Sequence, residues 1–104
     1  MEKDTNITEV IFRVDTTKDW KGTVLAILPH QVESYDGAVA VYEQRTCHGT
    51  GSYDHMIRTS RLATEAEYAD IKKEMEVNYG YNFKVIKKRN YDKYLKAYYE
   101  VRKR

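Results

Sequence analysis

The chain has 104 residues, with 18 Lys and Arg against 16 Asp and Glu, a formal net charge of +2 and 41% apolar residues. This length supports one modest hydrophobic core and excludes two, so we expect a single domain over residues 1–104 with a flexible start at residues 1–8. The single cysteine, Cys47, excludes an internal disulfide and a four-cysteine metal site.

Membrane and export classes are also disfavoured. No segment approaches the roughly 18 consecutive apolar residues that a membrane-spanning helix needs. The first residues, MEKDTNITE, are charged and polar where a signal peptide would be apolar. We therefore expect an intracellular, cytoplasmic protein with no membrane partner.

Three strand-like segments open the chain. Residues 9–15 alternate between apolar and polar side chains, as in a half-buried strand. The apolar run at residues 23–28 is typical of a central strand covered on both faces, and Pro29 should end it because proline cannot donate to a strand ladder. After an Asp-Gly turn, residues 38–43 predict a third strand.

The middle of the chain contains the clearest helix signal. Residues 44–53 are expected to form the longest loop, and residues 54–60 a possible fourth strand. Thr64 and Glu67 then have the spacing of a capping box, which predicts a helix over residues 65–79 that ends at Gly80.

A further strand and a final helix complete the predicted fold. Residues 81–86 are strand-like, and Asn90 should cap a helix that lays four side chains on the sheet. These are Tyr91, Tyr94, Leu95 and Tyr98. The predicted fold is α+β, a small antiparallel or mixed sheet of about four to five strands with two helices on one face, in the order βββ(β)αβα.

Several segments resemble a family of small, functionally uncharacterised proteins encoded by phages and mobile elements, frequent in Bacteroidetes. The resembling pieces are VIFR at residues 10–13, AILP at 26–29, CHG through Tyr53, AT through EY at 63–68 and GYNFKVI at 80–86. The resemblance implies an accessory role, such as countering host defences or handling nucleic acid. It also implies that His48, Gly49 and Tyr53 matter for folding or binding. The family has glutamine where this chain has Cys47, which argues against an essential thiol.

The segment around Cys47 permits two chemical interpretations besides a plain flexible connection. Cys47 and His48 could form a nucleophilic pair, but sequence neighbours on a loop rarely face each other. Gly49 and Gly51 could let consecutive amides converge on an anion, although the spacing of a nucleotide-binding loop is absent. The histidines match no zinc template, so we predict no metal and no cofactor.

The last 21 residues are strongly basic. Residues 84–104 hold nine Lys and Arg and two acids, 9 − 2 = +7, whereas residues 1–83 carry 9 − 14 = −5. Lysines on the wet side of a docking helix explain part of this excess, but basic clusters at both helix ends favour a polyanion as partner. The candidate binding residues are Lys87, Lys88, Arg89, Lys93, Lys96, Tyr99, Arg102, Lys103 and Arg104.

Three functions remain open from the sequence. The first is a non-catalytic anti-defence protein, similar to an anti-CRISPR inhibitor, that engages a host nuclease or its guide-RNA complex. The second is direct binding of RNA or DNA through the basic helix, with Tyr99 stacking on a base. The third, a small enzyme that uses Cys47, His48 or His55, lacks a complete set of catalytic partners. We therefore expect a binding protein rather than an enzyme.

Overall fold

The computed structural model describes residues 7–43 and 47–103, with the side chain of Cys47 left out. The predicted α+β class is confirmed, with strands and helices in the order ββββαβαβα. The elements are β1 (Thr8–Asp15), β2 (Val24–Val32), β3 (Val39–Glu43), β4 (Cys47–Gly51), α1 (Tyr53–Arg58), β5 (Ser60–Leu62), α2 (Glu65–Tyr79), β6 (Phe83–Val85) and α3 (Tyr91–Arg102). Of the start predicted to be flexible, residues 1–6 lie outside the described residues and Thr8 begins β1.

The sheet has the spatial order β4-β3-β2-β1, and two short strands share the remaining edge of β1. β5 pairs antiparallel with the second half of β1, with Arg13 opposite Leu62. β6 pairs parallel with the first half, with Thr8 opposite Phe83. The sheet is therefore mixed, because β6, the last strand in the chain, pairs in parallel with β1, the first.

The helices lie on opposite faces of the sheet, so the prediction of two helices on one face is wrong. Val10 and Phe12 of β1 pack with Ile71 and Met75 of α2 in one core. Ile11 lies between them in the chain and packs on the other face of the sheet. There it forms a second core with Met56 of α1 and with large side chains of α3. These are Tyr94, Tyr98 and Val101. The uninterrupted apolar run of β2 reflects this arrangement, because both of its faces are covered.

Pro29 does not end β2, contrary to expectation. The pairing of β2 with β3 shifts register between Leu28, opposite Ala40, and Val32, opposite Val39. Pro29 lies within this irregularity, where a ladder hydrogen bond from its nitrogen is not required.

The predicted loop and the predicted fourth strand are both wrong. Within residues 44–53, β4 pairs with β3 along its whole length, and residues 44–46 lie outside the described part of the chain. Residues 54–60 form most of α1 and the start of β5. Ser52 caps α1 by accepting a hydrogen bond from the His55 amide. The Ser52 cap stabilises a helix here in place of a strand, and a helix suffices because Met56 is the buried residue of this segment.

The prediction for α2 is confirmed over residues 65–79. The Thr64 hydroxyl accepts from the Glu67 amide at 3.3 Å, and the Thr64 amide donates to the Glu67 carboxylate at 2.8 Å. Gly80 ends the helix with φ of 74°, in the left-handed region. Tyr68 stacks on Phe12, with ring centroids 4.4 Å apart, which fixes α2 to its face of the sheet.

Candidate polyanion-binding surface

The basic segment occupies one side of the molecule because α2 and α3 cover opposite faces of the sheet. Residues 84–103, which we call the α3 surface, hold eight Lys and Arg against two acids, 8 − 2 = +6. α2 holds two lysines against five acids, 2 − 5 = −3. The charge difference along the sequence therefore becomes a difference between the two faces.

α3 is capped and anchored as the sequence predicts, but with a different set of core residues. Asn90 accepts a hydrogen bond from the Lys93 amide at 3.1 Å. Tyr94 and Tyr98 pack on the core, whereas Tyr91 is 56% exposed and Leu95 is absent from both cores. The Tyr94 hydroxyl donates to the Gly37 carbonyl at 3.1 Å, and burial raises the pKa of Tyr94. The half-buried Tyr94 and Tyr98 therefore anchor α3, and their packed faces are not available to stack on bases.

Arg89 is enclosed by tyrosines at the start of α3. Its guanidinium lies 4.3 Å from the ring centroid of Tyr53, 4.4 Å from that of Tyr94 and 5.0 Å from that of Tyr91. Only 17% of the side chain is exposed, and Asp54 lies 3.7 Å away. The Arg89 amide also donates to the Tyr53 hydroxyl at 3.0 Å. Arg89 therefore joins α3 to α1, and we call this arrangement the Arg89 cage.

Lys93 belongs to a second anchor that the sequence did not predict. Glu9 of β1 accepts from Lys93 at 2.9 Å and lies 3.0 Å from Nδ1 of His30. Nε2 of His30 accepts from the Asn90 amide at 2.8 Å, so the ring is neutral and carries its proton on Nδ1. The hydrogen bond from Lys93 lowers the pKa of Glu9, and burial lowers the pKa of His30. These residues come from three distant segments, so no local pattern could have revealed them.

The C-terminal end of α3 is also partly engaged. Arg102 donates to the Tyr35 carbonyl at 3.2 Å and to the Tyr98 hydroxyl at 3.1 Å, and its guanidinium lies 4.3 Å from the centre of the Tyr35 ring. Lys103 lies 3.5 Å from Glu100. Arg104, the last predicted binding residue, lies outside the described residues.

Three predicted cations are left for a partner. Lys87, Lys88 and Lys96 are exposed and form no ion pair within residues 7–43 and 47–103. Tyr99 is 57% exposed and touches only the edge of Tyr98 among the aromatic rings. Lys84 of β6, which the sequence analysis left out of the site, is exposed beside Glu9 and contributes to lowering its pKa. The available surface is thus mainly cationic, with the exposed rings of Tyr91 and Tyr99 beside the lysines.

The predicted loop residues separate into two places. The His48 ring of β4 lies 4.8 Å from that of Tyr42 and 4.9 Å from that of Tyr79. Tyr53 is part of the Arg89 cage. Gly49 lies in the middle of β4, and the residues before and after it also pair with β3, so its amide does not converge with its neighbours on an anion. The anion-binding interpretation of this segment is therefore wrong.

Residues 7–43 and 47–103 contain neither a metal-binding cluster nor a membrane-spanning helix. No cluster of three or more His, Cys, Asp and Glu in that part of the chain is arranged to hold a metal ion. None of its helices is both long and apolar enough to cross a membrane.

We compared the chain with protein-family models, curated proteins and solved structures, and none of these comparisons finds a match.

Proposed function

We propose that this protein is a non-catalytic, cytoplasmic inhibitor or modulator that a phage or mobile element uses against a host defence. In this proposal it engages a host nuclease or its guide-RNA complex, as an anti-CRISPR protein does. The class of role rests on the resemblance to mobile-element proteins. The binding mode rests on one structural observation, the exposed Lys87 and Lys88 within the segment 84–103, whose charge excess is +6.

The chemistry of the α3 surface favours a structured polyanion as partner. Lys87 and Lys88 can neutralise phosphates or carboxylates, because no acid within the described residues pairs with them. Two of the four tyrosines of the segment, Tyr94 and Tyr98, pack in the fold, which reduces the stacking area for unpaired bases. A ribonucleoprotein, or a protein groove shaped for nucleic acid, offers negative charge without requiring such stacking.

The decisive experiment is capture of partners from a bacterial host that carries CRISPR nucleases, with the full chain as bait. Reversing two charges, K87E/K88E, should abolish recovery of a nuclease complex that the wild-type chain recovers. The matched control is K18E/K21E, which changes the net charge equally at exposed lysines of the β1–β2 connection. The binding mode fails if K87E/K88E recovers the complex as well as wild type. The proposed role fails if no defence complex is recovered by any variant.

The exposed ring of Tyr99 favours a second candidate, direct binding of RNA or DNA. Lys87, Lys88 and Lys96 form no ion pair within the described residues, and they predict that log Kd changes by about 2 to 3 for each unit of log salt, by counterion release. Fluorescence anisotropy with a labelled single-stranded RNA over a salt series measures this slope. Tyr99→Ala should weaken binding to that RNA, whereas Tyr79→Ala, at an exposed tyrosine of α2 on the opposite face, serves as the control. Absence of binding at low salt would exclude this candidate.

A further inference from the structure

The turn between β2 and β3 is fixed against α3. The Gly37 amide donates a hydrogen bond to the Ser34 carbonyl at 3.0 Å, which closes the turn. Gly37 has φ of 93°, and a Cβ at this position would lie 2.5 Å from the Tyr94 hydroxyl, so the turn approaches α3 closely. The Tyr94 hydroxyl in turn donates to the Gly37 carbonyl. Tyr35 lies within this turn and is therefore held at one place beside α3.

Arg102 covers one face of the Tyr35 ring. Its guanidinium carbon lies 4.3 Å from the centre of that ring and 5.3 Å from the centre of the Tyr98 ring. Its Nη1 donates to the Tyr35 carbonyl and to the Tyr98 hydroxyl, so the guanidinium is fixed between the two residues. Tyr35 is nevertheless 61% exposed. The ring face that points away from Arg102 is therefore open to solvent.

The turn itself does not require this ring. Arg102 bonds to the main-chain carbonyl of residue 35, which any residue supplies, and turns favour small polar residues over tyrosine. A ring that a guanidinium already holds in place loses little conformational freedom when a second flat group stacks on its open face. Tyr99 has no such support, because the edge of Tyr98 is its aromatic contact among the described residues. Tyr35 is therefore better prepared for stacking than Tyr99.

The Tyr35 ring lies at the end of an exposed row of α3 side chains. Exposed residues recur there at every third position, which aligns them along one ridge of a helix. The row consists of Lys93, Lys96, Tyr99 and Arg102. Within residues 7–43 and 47–103, Lys96 forms no ion pair, and Nε and Nη2 of Arg102 form no hydrogen bond. Positive charge interleaved with aromatic rings is typical of surfaces that bind single-stranded nucleic acid.

We propose that Tyr35 and Arg102 form a stacking site for one unpaired base of a single-stranded nucleic acid. The base lies on the open face of Tyr35, and Arg102 supports the ring from behind. The remaining donors of Arg102, together with Lys96, contact phosphates of adjacent nucleotides. Stacking on an aromatic face accepts any base, so the site reads no particular sequence. This inference rests on the second candidate function, direct binding of RNA or DNA, and adds to it a residue 67 positions before Arg102.

The acids that flank the site in sequence both have partners. The Asp36 carboxylate accepts from the Ser34 hydroxyl and, at 3.3 Å, from the Ala38 amide. Glu100 lies 3.5 Å from Lys103. These pairings leave little net charge around Tyr35. Its contribution to binding should therefore come from stacking and be nearly independent of salt, unlike that of the exposed lysines.

The test is fluorescence anisotropy of the full chain with two labelled DNA strands that have the same phosphates. One strand consists of stable abasic nucleotides, and the other carries a single adenine at its centre. The adenine should strengthen binding about tenfold at low salt, and this ratio should persist as salt rises. Equal affinity for the two strands would overturn the stacking site and leave direct binding through the lysines intact. Absence of binding by both strands would also overturn it, and the titration with single-stranded RNA then decides direct binding separately.

Protein variants locate the base. Tyr35→Ala should bind both strands with the same affinity, whereas Tyr35→Phe keeps the ring and should behave as wild type. Arg102→Lys keeps the charge but not the planar guanidinium, so it should reduce the preference for adenine more than the affinity for the abasic strand. K87E/K88E should weaken binding of both strands by the same factor. A preference that Tyr99→Ala removes and Tyr35→Ala leaves unchanged would contradict the proposal.

Discussion

Arg89 shows how one residue can satisfy a binding pattern and still be used by the fold. Its basic neighbours, Lys87 and Lys88, project into solvent, but its planar guanidinium lies among three tyrosine rings. Arginine suits this environment because it stacks on aromatic faces and is less strongly hydrated than lysine. Removing Arg89 should therefore affect stability more than a surface cation would.

We predict that Arg89→Ala lowers the free energy of unfolding by about 1–3 kcal/mol, through loss of the cation–π contacts in a mostly buried site. Urea unfolding followed by circular dichroism measures the change. Lys88→Ala is the matched control and should shift stability by less than about 0.5 kcal/mol, because its side chain is exposed. Equal stabilities of the two variants would mean that the Arg89 cage contributes nothing.

The helices differ in how the chain specifies them. α2 begins with a local signal, the capping box, and Arg61 reinforces it through two hydrogen bonds to Glu67. The Arg61 side chain is the main cause that lowers the pKa of Glu67 to about 2, so the box stays ionised in mild acid. α3 has a local cap at Asn90 but depends on distant partners for its position. Acid should therefore affect α3 before α2.

Thr64→Ala should destabilise the protein by about 1 kcal/mol, because the Glu67 amide loses its hydrogen-bond acceptor at the start of α2. Thermal or urea unfolding gives the value. Asp70→Ala, an exposed change within the same helix, is the comparison and should have a smaller effect. If the two substitutions cost the same, the cap is not a determinant of α2.

The anchor of α3 predicts a pH dependence. The folded protein holds His30 neutral with a pKa below its ordinary value of 6.5, so the unfolded chain binds more protons between those two values. Stability should therefore fall as pH drops below about 6.5. The lowered pKa of Glu9 adds a further loss as pH falls below its ordinary value of 4.5.

Unfolding of wild type and His30→Gln by urea at about pH 7 and about pH 5 measures the contribution of His30. Glutamine can still accept a hydrogen bond but does not titrate, so the variant should lose less stability between these two values. An identical loss in both proteins would assign the pH dependence to other groups.

The sequence predicted the elements that local interactions form, and it missed those that depend on distant residues. α2, with a cap, a periodic core face and a terminal glycine, was predicted to the residue. β4 was missed because glycine is depleted in strands, and only backbone pairing with β3 makes residues 47–51 extended. The basic segment was visible from charge alone, but the partners of Lys93 and Arg102 lie 84 and 67 residues away. Composition therefore indicated the surface but not which of its cations are free.

At the scale of the whole molecule, the mixed sheet separates two charged faces. α3 and its basic flanks cover one face, and the acidic α2 covers the other. A net charge of only +2 conceals this separation. A polyanion should therefore approach with the α3 surface leading, because the field of the opposite face repels it.

The parallel pairing of β6 with β1 also sets the order in which the chain can fold. Thr8 and its partner Phe83 are 83 − 8 = 75 residues apart, whereas β1 and β2 are neighbours in sequence. Contacts of such long range form late, since the entropy of closing the loop is lost before the contacts are gained. During synthesis, the edge of β1 that later pairs with β6 therefore stays unpaired until residues 83–85 have been made. An unpaired edge of this kind exposes backbone hydrogen-bonding groups and favours aggregation of the nascent chain.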